Sequence, residues 1–384
     1  MRPQRSFPTP PDRSALSPSG LRLGDPAPWF SALTREGAAI DLHVDAGRWV
    51  VLAFAGQCDD PRAAHELAPI LAAARPEDDD HLVVYVISDT APALGLPSGP
   101  GLGVVIDADG AIARRYGAEG TPRTVILDPM LRVVADIGWD DRAGHADTVR
   151  ATLASLPAVD QSCGVPMSAP ALMVPRVLDF PLCDLLVRLY DMVGGEESGF
   201  LLDHDGKTAT VVDHRLKRRR DLVIALPDLR ETIRDQVVRR LLPAIERYFQ
   251  FAATRMDRYM VSCYDSALGG HFFRHRDNVN AGARHRRFAV TINLNGDYDG
   301  CDLVFPEFGR RAYRAPVGGA IVFSCGALHQ VTPIRRGRRY AFIPFLYGEA
   351  DAAFRRANND LLQAGEARYG DDALDRLLPL SGAL

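Results

Sequence analysis

Two histidines and an aspartate carry the densest chemical signal in this 384-residue sequence. His275-Arg276-Asp277 sets an imidazole and a carboxylate at i and i+2, and on a strand the alternation of side chains sends both to one face. A further imidazole, His329, follows the strand-like run Ala320 to Ser324. Two imidazoles and one carboxylate on one face of an octahedron leave three coordination positions open, as a non-haem Fe(II) oxygenase requires for a bidentate co-substrate and dioxygen. By itself H-x-D is equally what a surface histidine beside a turn aspartate would give, so the surrounding elements have to decide.

Other reactive residues are less organised. Cys58, Cys163, Cys183, Cys263, Cys301 and Cys325 form no C-x-x-C pair, which argues against a disulfide framework and a structural zinc site and favours buried small hydrophobes. The basic runs Arg215 to Arg220 and Arg335 to Arg339 read either as solvated loops or as a positive rim for an anionic ligand. No aromatic residues interleave them to stack bases. Net charge is −4, so no global positive field draws nucleic acid or anionic lipid, and neither is an expected partner. No apolar stretch approaches the roughly 20 residues of a membrane span, and no apolar segment follows the N-terminal arginines; the expected location is cytoplasmic.

The length predicts two domains, and 47% hydrophobic with 24% charged residues excludes a disordered, collagenous or coiled-coil chain. Residues 1–19, rich in Pro, Ser and Arg, read as a flexible tail. Over 20–157, the β-branched runs Trp49 to Ala55, Leu82 to Ser88, Gly103 to Ile106, Thr124 to Leu127 and Val133 to Ile137, with a helical Ala63 to Ala74, predict an α/β unit. Prolines puncture a polar linker over 158–172. Beyond it, Asp179 caps a predicted helix with the stripe Leu182, Leu185, Leu186, Leu189 and Val193. A second helical stretch after Pro227 is expected to kink at Pro243. From Asp257 the segments Tyr259 to Tyr264, Arg287 to Leu294, Asp302 to Phe305, Ala320 to Ser324 and Tyr340 to Tyr347 predict an antiparallel jelly roll, followed by a helical tail after Asp351, so 173–384 is one α+β domain.

That second domain resembles the 2-oxoglutarate and Fe(II)-dependent dioxygenases of the prolyl 4-hydroxylase type. The residues that carry the resemblance are Tyr264, Gly269-Gly270, His275-Arg276-Asp277, Leu294-Asn295, Gly300 with Leu303 and Phe305-Pro306, Gly318-Gly319, His329 with Val331 and Pro333, and Gly337 to Ala341. The resemblance implies a double-stranded β-helix in which His275, Asp277 and His329 ligate Fe(II). It also implies that Arg339 pairs with the distal carboxylate of 2-oxoglutarate, and that ascorbate serves as reductant. A planar guanidinium grips a carboxylate bidentately, and Arg338, one position off on a strand, faces the other way. Tyr264 matches a tyrosine whose hydroxyl reaches the co-substrate; the alternative is a core tyrosine. Cys301, where a second glycine is usual, and Asn293, where Tyr or Thr is usual, depart from the pattern.

Residues 20–157 resemble the thioredoxin/peroxiredoxin superfamily through Leu23 to Pro28, the strand leading to Cys58, and Thr121-Pro122-Arg123-Thr124. The active-site pattern is incomplete, with Val51 and Ala55 in place of the usual Pro and Thr and no C-x-x-C at Cys58. Asp59 and Asp60 would raise the Cys58 thiol pKa, whereas Arg123 and a helix N-terminus would lower it. Two readings stay open: a redox Cys58, with Cys163 as resolving thiol, or a degenerate domain for homodimerisation or substrate presentation. The functional alternative to a dioxygenase is thus a thiol redox or binding protein whose jelly roll only recognises a partner. For the dioxygenase, the expected substrate is a peptidyl proline, ahead of a small molecule, with the polar loop Asn278 to Arg286 as a mobile lid.

Overall fold

The computed structural model describes residues 21–56, 61–73, 81–90, 101–139, 144–204, 206–363 and 375–377. The chain folds as two compact units, residues 1–162 and 163–384.

In the first unit a buried strand, β1 (Trp49–Gly56), runs parallel to β2 (Leu82–Ser88), which runs parallel to β3 (Leu102–Ile106). On the other side of β1 lies the antiparallel pair β4 (Arg123–Leu127) and β5 (Val133–Gly138). The spatial order is therefore β3-β2-β1-β4-β5, the thioredoxin-like arrangement. A helix, α1 (Pro61–Ala73), makes the β1-to-β2 crossover, and α2 (His145–Ser155) packs beside it. Leu67 and Ile70 of α1 and Val149 of α2 cover Val51, Ala53, Val84, Val86 and Ile126 of the sheet. A central strand covered on both faces has to be a continuous apolar run, and Val50 to Ala55 is one.

In the second unit α3 (Phe180–Val193) starts where Asp179 Oδ1 accepts from the Leu182 amide at 3.0 Å, and it stops at Gly194, whose φ is +81°. Its buried face is Leu182, Cys183, Leu186 and Tyr190. Two residues expected in the stripe are largely open to solvent. Leu185, 46% exposed, falls more than about 100° from the centre of the buried face at 3.6 residues per turn, and Val193, 63% exposed, is the last residue of the helix. The predicted kink at Pro243 is a break: α4 (Pro227–Arg240) and α5 (Leu242–Phe249) are separate helices, with Pro243 in the first turn of α5, where its missing N–H costs nothing. Tyr340 to Tyr347 likewise divides into two strands around Ile343-Pro344, since proline cannot donate to a ladder.

The strands make two antiparallel sheets of a double-stranded β-helix. The larger contains β6 (Arg220–Val223), β7 (Met260–Asp265), β9 (Phe288–Asn293), β11 (Ala320–Ser324), β13 (Arg338–Phe342) and β14 (Phe345–Tyr347). The smaller contains β8 (His271–His275), β10 (Leu303–Val304) and β12 (His329–Val331). The larger sheet is two-faced, with period 2. Val261, Cys263, Val290, Ile292, Val322, Tyr340 and Phe342 pack with the α3, α4 and α5 residues Leu186, Ile233, Val237 and Ile245. The alternate residues Ala289, Ile321 and Phe323 pack instead with Leu303 and Phe305. Side chains of this second parity on β7, β9 and β13 are what the larger sheet offers to the interior. The linker expected over 158–172 is in part built into this fold: Ala169 is buried, and Leu172 opens a short strand, Leu172–Val174, that pairs with β11.

Two glycines permit close backbone approaches. A Cβ on Gly318, φ +72°, would stand 2.2 Å from the Leu178 carbonyl oxygen, and one on Gly300, φ +74°, would stand 2.4 Å from that of Pro333.

The loop Asn278 to Arg286 is not the mobile lid expected from its polarity. Asn280 Nδ2 donates to the Leu201 carbonyl at 2.8 Å, and the Gly282 amide donates to Thr208 Oγ1 at 2.9 Å. His285 is fully buried. The loop's polar groups serve these internal partners, so composition alone misread it.

Candidate functional site

Register builds the site. His275 at the end of β8 and His329 at the start of β12 are direct cross-strand partners, and the β8-β12 ladder carries an irregularity just before that pair. Asp277 follows two residues on, its amide donating to the Cys325 carbonyl at 2.9 Å. His275 Nε2 lies 3.6 Å from Asp277 Oδ1, and His329 Nε2 lies 3.4 Å from Asp277 Oδ2. Among the described residues this is the group of His, Cys, Asp and Glu whose ligand atoms all fall within 4.8 Å of one another.

The imidazoles are oriented by the backbone. His275 Nδ1 faces the Phe273 carbonyl at 2.7 Å and His329 Nδ1 faces that of Ala327 at 3.0 Å. A carbonyl only accepts, so each Nδ1 carries the proton and donates it, leaving the Nε2 lone pair for the centre. Burial, reinforced by His275, pulls His329 down to about 4, so it stays neutral at physiological pH. Burial raises the Asp277 carboxyl, but the two imidazoles and Arg286 outweigh it and hold the group well below the usual carboxylate range. Two imidazoles and one carboxylate, converging on one point, make a donor set that fits a divalent iron.

Behind the ligands lies a clamp that sequence reasoning missed. Arg276, the middle residue of H-x-D, faces away and grips Glu307 at 2.9 and 3.1 Å, and the Glu307 carboxylate accepts from the Leu328 amide at 2.8 Å. Both ligand-bearing segments thus hang from one carboxylate. The alternation of a strand implies that the residue between two ligands points outward, but nothing in the sequence pairs Arg276 with Glu307.

Arg339 sits on the inner parity of β13, directly opposite Tyr264 of β7. It is buried, with Nη2 donating to Thr291 Oγ1 at 2.7 Å and Nε to Asn293 Oδ1 at 3.0 Å. Both acceptors are neutral, and among the described residues no carboxylate pairs with it. Arg338 has the other parity and pairs with Asp265 at 2.7 Å. Asn293 therefore holds the arginine from β9, and the Cys301 thiol, in a left-handed position next to Gly300, stands 4.0 Å from Arg339 Nη1. Tyr264 is buried, its ring 5.8 Å from the Arg339 guanidinium and 5.9 Å from that of Arg219. Burial pushes its phenol pKa up, so its hydroxyl stays a donor.

His275, Asp277, His329, Tyr264 and Arg339 all line one cavity, together with Arg219, Arg258 and Thr291. Arg219 belongs to a run read as rim or solvated loop, yet it and Lys217 are buried. Arg219 is committed to Asp221 at 2.6 Å. A period-2 reading of 217–223 is the signal that would have found it. Cys58 lies outside the described residues. Arg123, expected to activate that thiol, is paired with Asp136 at 3.0 Å. Cys163 is exposed, and the other four described cysteines are buried and free. Among the described residues no helix is long and apolar enough to cross a membrane.

Residues 259–347 match the 2OG-Fe(II) oxygenase superfamily. A PKHD-type hydroxylase of Synechococcus sp. is 31% identical over 117 residues, 28% of this chain and 51% of that protein, so the chain spans about half the length of that relative. A PKHD-type hydroxylase of Paraburkholderia phymatum is 30% identical over 154 residues, 36% of this chain and 68% of that protein. Among solved structures, peroxidoxin BcpB of Mycobacterium tuberculosis is similar at 20% identity and a TM-score of 0.30, covering 36% of this chain and 99% of its own length.

Proposed function

This chain belongs to the PKHD-type hydroxylases of the 2OG-Fe(II) oxygenase superfamily, and from that membership we propose that it hydroxylates an unactivated C–H bond, with a peptidyl proline as substrate. The single observation that carries the reading is the convergence of His275, Asp277 and His329 with both Nδ1 protons tied to carbonyls. Iron and dioxygen, when bound, supply the oxidation that turns 2-oxoglutarate into succinate and carbon dioxide and places one oxygen atom in the substrate. The chain's own residues hold and orient. His275, Asp277 and His329 are the metal ligands; Arg339, held by Thr291 and Asn293, receives the distal carboxylate of 2-oxoglutarate; Tyr264 donates its hydroxyl to the co-substrate. Leu303, Phe323 and Val331 line the same cavity and limit water there.

Ascorbate is the reductant assigned to keep the iron ferrous through cycles that lack substrate. For the N-terminal unit we favour a degenerate domain, used for homodimerisation or substrate presentation, over thiol chemistry, since Arg123 is already engaged by Asp136. The test of the substrate is mass spectrometry of cell extract incubated with the wild-type protein and with His275→Ala, supplied with Fe(II), ascorbate and 2-oxoglutarate. One added oxygen atom on prolyl peptides, in the wild-type sample alone, supports the reading; oxygen added only in the metabolite fraction overturns the peptidyl assignment.

A further inference from the structure

The cavity carries more positive charge than the ligands and co-substrate account for. Arg219 has Asp221 as its partner, and Arg339 is positioned for the distal carboxylate of 2-oxoglutarate. Arg258 has neither. It stands in the turn between the strand Arg255–Asp257 and β7, lines the cavity with the triad, and lays its guanidinium 5.0 Å from the centroid of the Phe345 ring. Among the described residues no hydrogen bond or ion pair reaches that guanidinium.

The neighbouring carboxylates are engaged elsewhere. Asp257, adjacent in the chain, lies 3.6 Å from His285 and 3.7 Å from Arg355, and Asp221 holds Arg219 and Ser262. A second guanidinium shares the ring instead: that of Arg286, 4.2 Å from the Phe345 centroid, with Nη1 on the Asp277 carbonyl at 3.3 Å. The Arg286 Nε is buried with no hydrogen-bond partner among the described residues. Two guanidiniums on one aromatic ring repel each other, and burial, followed by the Arg286 charge, pulls Arg258 down to about 10. Arg258 is also held at φ +61°, a conformation that costs energy for any residue with a side chain. Asp257 and Asp221 attract Arg258 only at a distance, so a charged, strained residue that lines a cavity without a direct ion pair is arranged for an anion that arrives from outside.

We propose that Arg258, on the Phe345 ring beside the buried Arg286, forms an anion subsite that takes a carboxylate of the hydroxylation substrate. The assignment rests on the dioxygenase reading above and narrows its substrate class. The planar guanidinium fork matches a planar carboxylate, and the carboxylate belongs either to the substrate's own C-terminus or to an acidic residue beside the hydroxylated one.

The test uses the full chain loaded with Mn(II) and saturated with 2-oxoglutarate, titrated calorimetrically with three matched pairs of probes. N-acetylproline against N-acetylprolinamide places the charge on the proline itself. Acetyl-Pro-Asp-amide against acetyl-Pro-Asn-amide, and acetyl-Asp-Pro-amide against acetyl-Asn-Pro-amide, place it after and before. In the wild type the acid of at least one pair should bind about tenfold tighter than its neutral match, as a charge-assisted bidentate contact implies. Arg258→Gln should erase that preference, and Arg258→Lys should retain part of it. Equal affinity within every pair, or an acid preference unchanged in Arg258→Gln, overturns the subsite. Loss of 2-oxoglutarate affinity in Arg258→Gln with the acid preference intact would give the residue to the co-substrate and also overturns it. Failure of the wild type to bind Mn(II) and 2-oxoglutarate at all overturns the dioxygenase reading itself.

Discussion

Arg339 has neutral hydrogen-bond partners on one side and a tyrosine on the other, so its charge is free for an incoming carboxylate. Replacing it with alanine leaves the metal ligands in place and removes a charge-assisted contact worth about 1.5–3 kcal/mol. The expected outcome is a KM for 2-oxoglutarate raised by about 10- to 100-fold with a smaller change in kcat; an unchanged KM would move the role elsewhere. Glu307 touches no ligand atom, yet it receives Arg276 from one ligand segment and the Leu328 amide from the other. Glu307→Ala should therefore weaken Fe(II) affinity by about 10- to 100-fold, the usual effect of removing an outer partner of a metal site. Retention of full affinity in metal titrations would reduce the clamp to a packing feature. At this scale the grouping of His275, Asp277 and His329 and the choice of Arg339 came from the family resemblance, and strand alternation added only that His275 and Asp277 share a face and that Arg338 and Arg339 do not. Arg258, Arg276 and Glu307 were not legible, because their roles depend on which turn meets which strand end, and that is set by register.

The two-faced strands of the larger sheet explain how helices and site share one layer: odd and even positions of β9 and β11 belong to different cores, and on β13 Tyr340 and Phe342 face the helices while Arg339 faces the cavity. This arrangement depends on tight backbone contact where β11 begins. Gly318→Ala places a Cβ against the Leu178 carbonyl, with no side chain to yield, and the prediction is a protein with a markedly lower melting temperature or little soluble product. An unchanged melting curve would refute the close approach. The cluster behind β14 makes stability depend on pH. Burial raises Asp257, but His285, Arg355 and Arg286 together hold it down at about 2, and burial keeps His285 below its ordinary value. For both groups the unfolded chain binds the proton first, so stability should fall as pH drops through about 6.5 and again below about 4. Melting temperatures recorded from about pH 8 to about pH 3 should decline toward acid, and a rise on acidification would contradict the assignment. Strand positions and the Asp179 cap were readable from local sequence. The loop Asn278 to Arg286 and the split at Leu241 were not, since hydrogen bonding to the distant Leu201 and Thr208 and the packing of two short helices leave no mark on local composition.

At the scale of the whole molecule, a thioredoxin-like unit over 1–162 precedes a double-stranded β-helix over 163–384, and every residue assigned to iron, co-substrate or substrate lies in the second. Between the two sequence patterns lies a proline-punctuated stretch, and the strand Leu172–Val174 draws the end of it into the second fold. What the first unit contributes was less legible, because its fold signal is spread over many apolar positions while its reactive-site signal reduces to Cys58, outside the described residues. The central claim is that His275, Asp277 and His329 would hold the iron at which dioxygen oxidises 2-oxoglutarate. It is tested most directly by release of labelled carbon dioxide from carbon-1-labelled 2-oxoglutarate, with Fe(II) and ascorbate, by the wild-type protein and by Asp277→Ala of matched circular dichroism. Release by the wild type that falls to background in Asp277→Ala is the predicted result; equal release from both, or none from wild-type protein shown to bind iron and 2-oxoglutarate, would contradict it.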